Sequence, residues 1–165
     1  NAVNLIPVNM YGPNDNFDPA ISHVIPALIL KIDRAMHVGR SEVELWGTGE
    51  ASREFLYVDD CADAIAKSLT VNIGPQPINI GTGREVKIRE LIEMIKTIMG
   101  YSGKIVFNAD FPDGQPRRCL DTSRARTALD FTAKTHLYDG LRQTVSWYYQ
   151  NKEKHKFNDY FDHIQ

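Results

Sequence analysis

His23 is the side chain in this sequence best suited to moving a proton near neutral pH, because an unperturbed imidazole changes charge there. It follows Tyr11-Gly12-Pro13-Asn14-Asp15-Asn16, a segment dense in turn formers, which in turn follows the mostly apolar run Val3 to Val8. That run reads as a buried strand leading into a loop. Open α/β sheets hold their ligands at the carboxyl ends of strands, so His23 falls where a reacting group would be positioned. A second cluster is Trp46-Gly47-Thr48-Gly49 with Arg53. A guanidinium is a planar fork matched to phosphate oxygens, and an indole offers a flat face to a base or sugar; a packed Trp and a solvated Arg on a hairpin is the plainer alternative. Asp113, Arg117 and Arg118 form a third cluster around the turn Pro112-Asp113-Gly114, with two cations able to neutralise a diphosphate or simply to face water.

Other conspicuous residues have structural readings. Asp59-Asp60 stands directly before a helical pattern, where capping accounts for it. Cys61 and Cys119 are too few and too isolated for a disulfide framework or a zinc site, and no metal site is expected. Cys61 has no activating cation nearby in its helix and reads as a small packed hydrophobe. Ile78-Asn79-Ile80-Gly81-Thr82-Gly83 looks like a phosphate-binding glycine loop only at first sight: Val86 stands at the third glycine position and Glu85 to Lys87 reads as a strand before the next helix begins. A turn between a strand and a surface helix is the better reading.

The elements that position these groups follow from periodicity. The spacing predicts helices over Pro19–Val38, from Asp59 or Asp60 to Leu69 with Ala62, Ile65, Ala66 and Leu69 on its apolar side, over Ile88–Met99 ended by Gly100, over Thr122–Leu129 and over Leu137–Tyr149. Strands are predicted at Val43–Trp46 and Arg53–Val58, joined as a hairpin through Gly47-Thr48-Gly49, and at Pro77–Ile80 and Lys104–Phe107. The result is a mixed α/β chain. Its 165 residues are 42% hydrophobic and 24% charged with a formal net charge of -2, which fits one globular domain or part of a larger one and excludes disorder and a general attraction to nucleic acid. The longest apolar stretch, Val24 to Ile32, is interrupted by Pro26 and Lys31 and falls short of the roughly 20 residues that cross a bilayer, so no membrane role is expected. The sparse cysteines suggest a reducing, cytoplasmic setting. The first residues already form a strand, as if the chain began inside a fold, and no βαβαβ series is long enough for a complete dinucleotide-binding domain.

Taken in order, Pro7-Val8-Asn9-Met10-Tyr11-Gly12-Pro13-Asn14-Asp15-Asn16-Phe17, Ser22-His23-Val24-Ile25-Pro26-Ala27-Leu28, Trp46-Gly47-Thr48-Gly49, Arg53-Glu54-Phe55-Leu56-Tyr57-Val58-Asp59-Asp60, Ile78-Asn79-Ile80-Gly81-Thr82-Gly83 and Pro112-Asp113-Gly114-Gln115-Pro116-Arg117-Arg118 resemble the carboxyl-terminal half of the GDP-L-fucose synthase family. These are extended short-chain dehydrogenases/reductases. The resemblance implies an α/β fold: residues 1–150 form a substrate-binding domain with the last strand or strands of a Rossmann sheet, and most of the Rossmann core is missing; the polar tail 151–165 lies outside the resemblance and reads as either a frayed, disordered extension or a docking segment. It implies a whole enzyme that converts GDP-4-keto-6-deoxy-D-mannose to GDP-L-fucose with NADPH, its catalytic Ser, Tyr, Lys and Cys lying in an amino-terminal half outside this sequence. By the same resemblance His23 is the acid of epimerisation and approaches the nicotinamide. Pro7, Val8, Asn9 and Met10 line the NADP(H) through backbone groups, and Lys31, Trp46, Arg53, Lys104 and Asp113 hold the GDP-sugar. The full protein is expected to be a homodimer and the isolated piece to be inactive.

Ala20, Ile21 and Leu30 depart from the polar or basic residues expected beside these motifs, which leaves room for a related GDP-sugar such as the precursor of colitose. Of the seven tyrosines only Tyr148 is followed four residues on by Lys, at Lys152, and it lies after the matched motifs, so this spacing reads as coincidental. Another NAD(P)-dependent nucleotide-sugar epimerase, dehydratase or reductase, or a non-catalytic nucleotide-sugar-binding module, remain the rival readings.

Overall fold

In the computed structural model, residues 2–72 and 74–154 are described. The apolar run near the amino terminus makes two strands rather than one, β1 (Leu5–Pro7) and β2 (Asn9–Tyr11). Buried Val8 is the bend between them, and its N–H donates to Ile80 O at 2.9 Å. Each strand then serves a different sheet: β1 pairs in parallel with β5 (Ile78–Ile80), and β2 pairs in parallel with β4 (Ser52–Tyr57).

The first helix, α1 (Val24–His37), begins later than the apolar spacing predicts. Residues before it are held in turns, with Asp18 Oδ1 accepting the Ala20 N–H and Asp18 O accepting the Ser22 N–H. Pro26 fits in the first turn because its missing N–H would have had no helical partner.

The predicted hairpin does not form. β3 (Glu42–Trp46) pairs in parallel with β7 (Lys104–Asn108), burying Val43 and Leu45 on one face. Meanwhile β4 takes β2 on one edge and the antiparallel β6 (Glu85–Lys87) along its first half, with the short β8 (Arg117–Arg118) parallel beside it. The Gly47 N–H donates to Asn108 O at 2.9 Å, so the glycine turn continues the β3–β7 ladder instead of folding β3 back onto β4.

Two readings of α2 (Val58–Ser68) are also corrected. Tyr57 occupies the cap position without a side-chain bond, and Asp59 and Asp60 lie inside the first turn. Asp60 is buried because its Oδ2 accepts the Thr135 N–H at 2.9 Å, a long-range tie that sets the rotation of the helix. Cys61, Ala64 and Ser68 consequently face inward, while Ile65 and Leu69 of the expected apolar stripe are 50% and 83% exposed. By contrast α3 (Ile88–Met99) follows its 3.6-residue pattern, burying Leu91, Ile92, Ile95 and Met99, and ends at Gly100 in the left-handed conformation.

After α4 (Ser123–Leu129), α5 (Leu137–Asn151) packs Leu141, Val145 and Tyr148 into the main core with Ile25, Ile29, Ile32 and Leu91. A second core gathers Val8, Leu56, Cys61, Ile78, Ile80 and Leu129 under the β1–β5 pair. The segment expected as tail is ordered at its start: the Lys152 ammonium pairs with buried Asp33 at 2.9 Å, and Tyr148 donates its hydroxyl to the same carboxylate at 2.7 Å. Burial pushes the Tyr148 phenol far above its ordinary value, the reverse of what a proton-relay tyrosine needs, so Tyr148 and Lys152 form a structural tie. Residues 155–165 of the expected tail lie outside the described residues. No helix among the described residues is long and apolar enough to cross a membrane.

Candidate active site

The parallel pairing of β2 with β4 sets Asn9 opposite Phe55, so Asn9 and Met10 lie beside the strand that carries Arg53. The amino-terminal end of α1 brings His23 to the same place. These residues meet in one cleft of about 300 Å³, lined also by Trp46 and Asp113. His23 is exposed at its rim, with no side-chain capping bond to tie the ring to the helix.

Arg53 is half-buried and held from behind. Its Nη1 donates to Ser52 O at 2.7 Å and to Gln115 O at 2.6 Å, which uses that nitrogen's two protons and leaves Nη2 and Nε for a ligand. A guanidinium anchored in this way loses little freedom on binding an anion.

Asp113 closes the opposite wall. Its Oδ1 accepts the Thr48 N–H at 2.8 Å and its Oδ2 accepts the Thr48 hydroxyl, and these bonds hold its carboxyl below the ordinary value. The clasp requires Gly47, whose φ of 83° suits glycine and whose missing Cβ would run into the Asp113 carboxylate. Trp46, 67% exposed, stacks on Phe111 with centroids 4.5 Å apart and planes 11° from parallel. Phe111 was missed in the sequence; its one signal is its position immediately before Pro112-Asp113-Gly114.

Two further cavities adjoin the cleft. The first, of about 470 Å³, is lined by Pro7, Val8, Asn9, Met10, His23 and Arg118, together with Asp15 and the exposed side chains of Ile6 and Ile21. The second, of about 380 Å³, lies between Lys31 and Trp46. Lys31 Nζ is 6.0 Å from the Trp46 ring centroid and donates to Glu44 O at 3.4 Å, and burial lowers its ammonium below the ordinary value. Lys104 is not brought to this group. It pairs with Glu42 at the far end of the β3–β7 ladder from Trp46, four residues or about 13 Å away along the strand.

The third cluster of charges is split by the fold. Arg117 pairs with Glu85 at 2.9 Å, Asp113 clasps Thr48, and Arg118 alone faces the Pro7–Met10 cavity. The glycine loop after β5 is filled from within: buried Glu54 Oε1 accepts the Thr82 and Gly83 N–H groups at 2.6 Å each, so the donors that would cradle a phosphate are already satisfied. Both cysteine thiols are pushed up, chiefly by burial, and neither is activated as a nucleophile.

A β-strand end, a histidine at a helix start and a guanidinium fork thus meet around one cleft. Residues 1–81 match the NAD dependent epimerase/dehydratase family. Among solved structures, a GDP-L-fucose synthetase from Naegleria fowleri bound to NADP superposes with a TM-score of 0.84 at 27% identity, over 92% of this chain and 47% of that one. The chain has the fold of the carboxyl-terminal half of an extended short-chain dehydrogenase/reductase. Its sequence resembles GDP-L-fucose synthases over about nine-tenths of its length. It is 47% identical over 150 residues, 91% of its length, to GDP-L-fucose synthase 1 of Arabidopsis thaliana, covering 46% of that protein. It is 39% identical to GDP-L-colitose synthase of Yersinia pseudotuberculosis over 89% of this chain and 48% of that protein. The chain thus spans about half the length of the curated relatives it matches.

Proposed function

We propose that this chain is the substrate-binding half of an epimerase-reductase that converts GDP-4-keto-6-deoxy-D-mannose to GDP-L-fucose with NADPH. The observation that carries the reading is the meeting of His23 and Arg53 in one cleft beside the Pro7–Met10 cavity. The likeness to GDP-L-fucose synthases supports the choice of base and sugar.

The residues around that second cavity fit the nicotinamide end of NADP(H): Pro7, Val8, Asn9, Met10 and His23 supply main-chain polar groups and one imidazole, and Ile6, Met10 and Ile21 supply exposed apolar surface. NADPH bound there supplies the hydride that reduces the C4 ketone. The remaining dinucleotide contacts belong to an amino-terminal Rossmann half, which the open edge of β1 is suited to continue and through which the whole protein dimerises.

In the sugar, the C4 ketone acidifies the hydrogens at C3 and C5. A base from the other half removes each, and His23 returns a proton to the opposite face, forming the C–H bond as its N–H breaks. Arg53, anchored by Ser52 and Gln115, turns its free N–H groups to the diphosphate. Trp46 offers its face to the nucleoside, Lys31 adds charge beside it, and the Asp113–Thr48 clasp shapes the wall. Lys104, at the far end of its ladder, is not assigned to the sugar.

The test is to incubate the full-length protein with GDP-4-keto-6-deoxymannose and NADPH and identify the product. GDP-fucose is expected. His23→Gln should suppress epimerisation at C3 and C5 while leaving GDP-sugar binding intact, and unchanged turnover would refute the assignment. A GDP-colitose-forming reaction is the second reading, favoured by the similarity to the Yersinia pseudotuberculosis protein, and product identification separates the two. The 165-residue chain by itself should reduce nothing.

A further inference from the structure

The loop that delivers His23 builds itself from its own side chains. Asp15 Oδ1 accepts the Asn16 N–H at 2.7 Å, Asn16 Oδ1 the Asp18 N–H at 2.9 Å, and Asp18 Oδ1 the Ala20 N–H at 2.9 Å. This succession uses one oxygen of each residue and explains the turn-former composition. It leaves Asp15 Oδ2 unexplained: that oxygen is buried and has no hydrogen-bond partner. Buried acceptors without donors are costly and uncommon in folded proteins. Since the loop needs only Oδ1, the sealed second oxygen calls for another account.

Asp15 and His23 line the same cavity. Burial pushes the Asp15 carboxyl up, the Asn16 N–H and the charge of the His23 imidazole draw it down, and the net effect leaves it raised. Arg118 is the other cation lining the cavity. His23 makes no capping bond and can turn about its side-chain torsions.

We infer that Asp15 is a positioning residue for His23, its sealed Oδ2 accepting one ring N–H so that the other ring nitrogen is aimed at the sugar. The inference rests on the reading of His23 as the epimerisation acid and names the group that makes it competent. An imidazole used as an acid has two distinct nitrogens, and the partner of one decides which tautomer remains after the other gives up its proton. With Asp15 on one side, the N–H facing the sugar breaks as the carbon–hydrogen bond forms. The neutral ring keeps its second N–H on the Asp15 carboxylate, and solvent restores the lost proton.

The experiment compares Asp15→Asn, His23→Gln and the double variant in the full-length protein, at a temperature well below the melting point of each. The Asn side chain keeps a carbonyl oxygen for the Asn16 N–H, so the loop is preserved, and Asp18→Asn in the same loop is the control for a merely structural effect. Expected for Asp15→Asn is a fall of about tenfold or more in kcat for epimerisation, with KM for the GDP-sugar unchanged, partial recovery in Asp15→Glu, and no further loss when Asp15→Asn is added to His23→Gln. Unchanged kcat, a loss confined to KM, an equal loss in Asp18→Asn, or additive losses in the double variant would each overturn the inference. Should His23→Gln leave turnover intact, it is the proposed function that fails, whatever Asp15→Asn does.

Discussion

Replacing Arg53 by alanine tests the anchored-fork argument quantitatively. Two of the five guanidinium N–H donors are spent on Ser52 O and Gln115 O, leaving three that can reach a diphosphate. Losing a net hydrogen bond to a charged group costs about 1.5–3 kcal/mol, which is about a 12- to 160-fold increase in Kd for GDP. Arg53→Lys retains a point charge but cannot hold the two carbonyls and the phosphate together, so its affinity should lie between the two. Titration calorimetry of GDP against the three proteins reads this directly, and thermal melts report the separate cost of freeing the Gln115 carbonyl. Wild-type affinity in Arg53→Ala would refute the placing of the diphosphate at this residue. Equal affinity in the Lys and Arg proteins would refute the role of the fork.

Further outcomes follow from the same structure. Tyr148→Phe removes the 2.7 Å bond to the buried Asp33 carboxylate and should lower unfolding free energy by about 1.5–3 kcal/mol in urea titrations; an unchanged midpoint would show that Lys152 alone satisfies Asp33. The Asp113 carboxyl is held below its ordinary 3.8 by the Thr48 hydroxyl and amide, so the clasp is fully formed above 3.8 and is lost as pH falls through the depressed folded value. Thr48 and Gly49 amide shifts followed by NMR should move together in that acid range, and movement at neutral pH would contradict the clasp.

Local order was legible wherever a short-range rule had no competitor. Ile88–Met99 repeats its apolar residues at helical spacing and stops at Gly100, and the structure has that helix with those limits. The turn-former content of Tyr11–Asp18 likewise foretold a loop, because Asp and Asn side chains bond to the backbone within a residue or two. His23 and Arg53 were legible as candidates from type and setting, and they do share a cleft.

What the tertiary structure decided is which surfaces and strands meet, since such pairings join residues far apart in sequence. Nothing local distinguishes a β3–β4 hairpin from the observed β3–β7 and β2–β4 ladders, because each ladder joins strands that lie far apart in the chain. Asp60 looks like a cap until Thr135, 75 residues later, supplies the N–H that turns it inward and rotates Ile65 and Leu69 out. Lys104 looks equivalent to Trp46 as a ligand contact until the register puts them at opposite ends of one ladder. Composition and periodicity act over a few residues and so determine the elements. The site is a long-range object, created when a loop, a helix start and a strand from three parts of the chain are packed around one cleft.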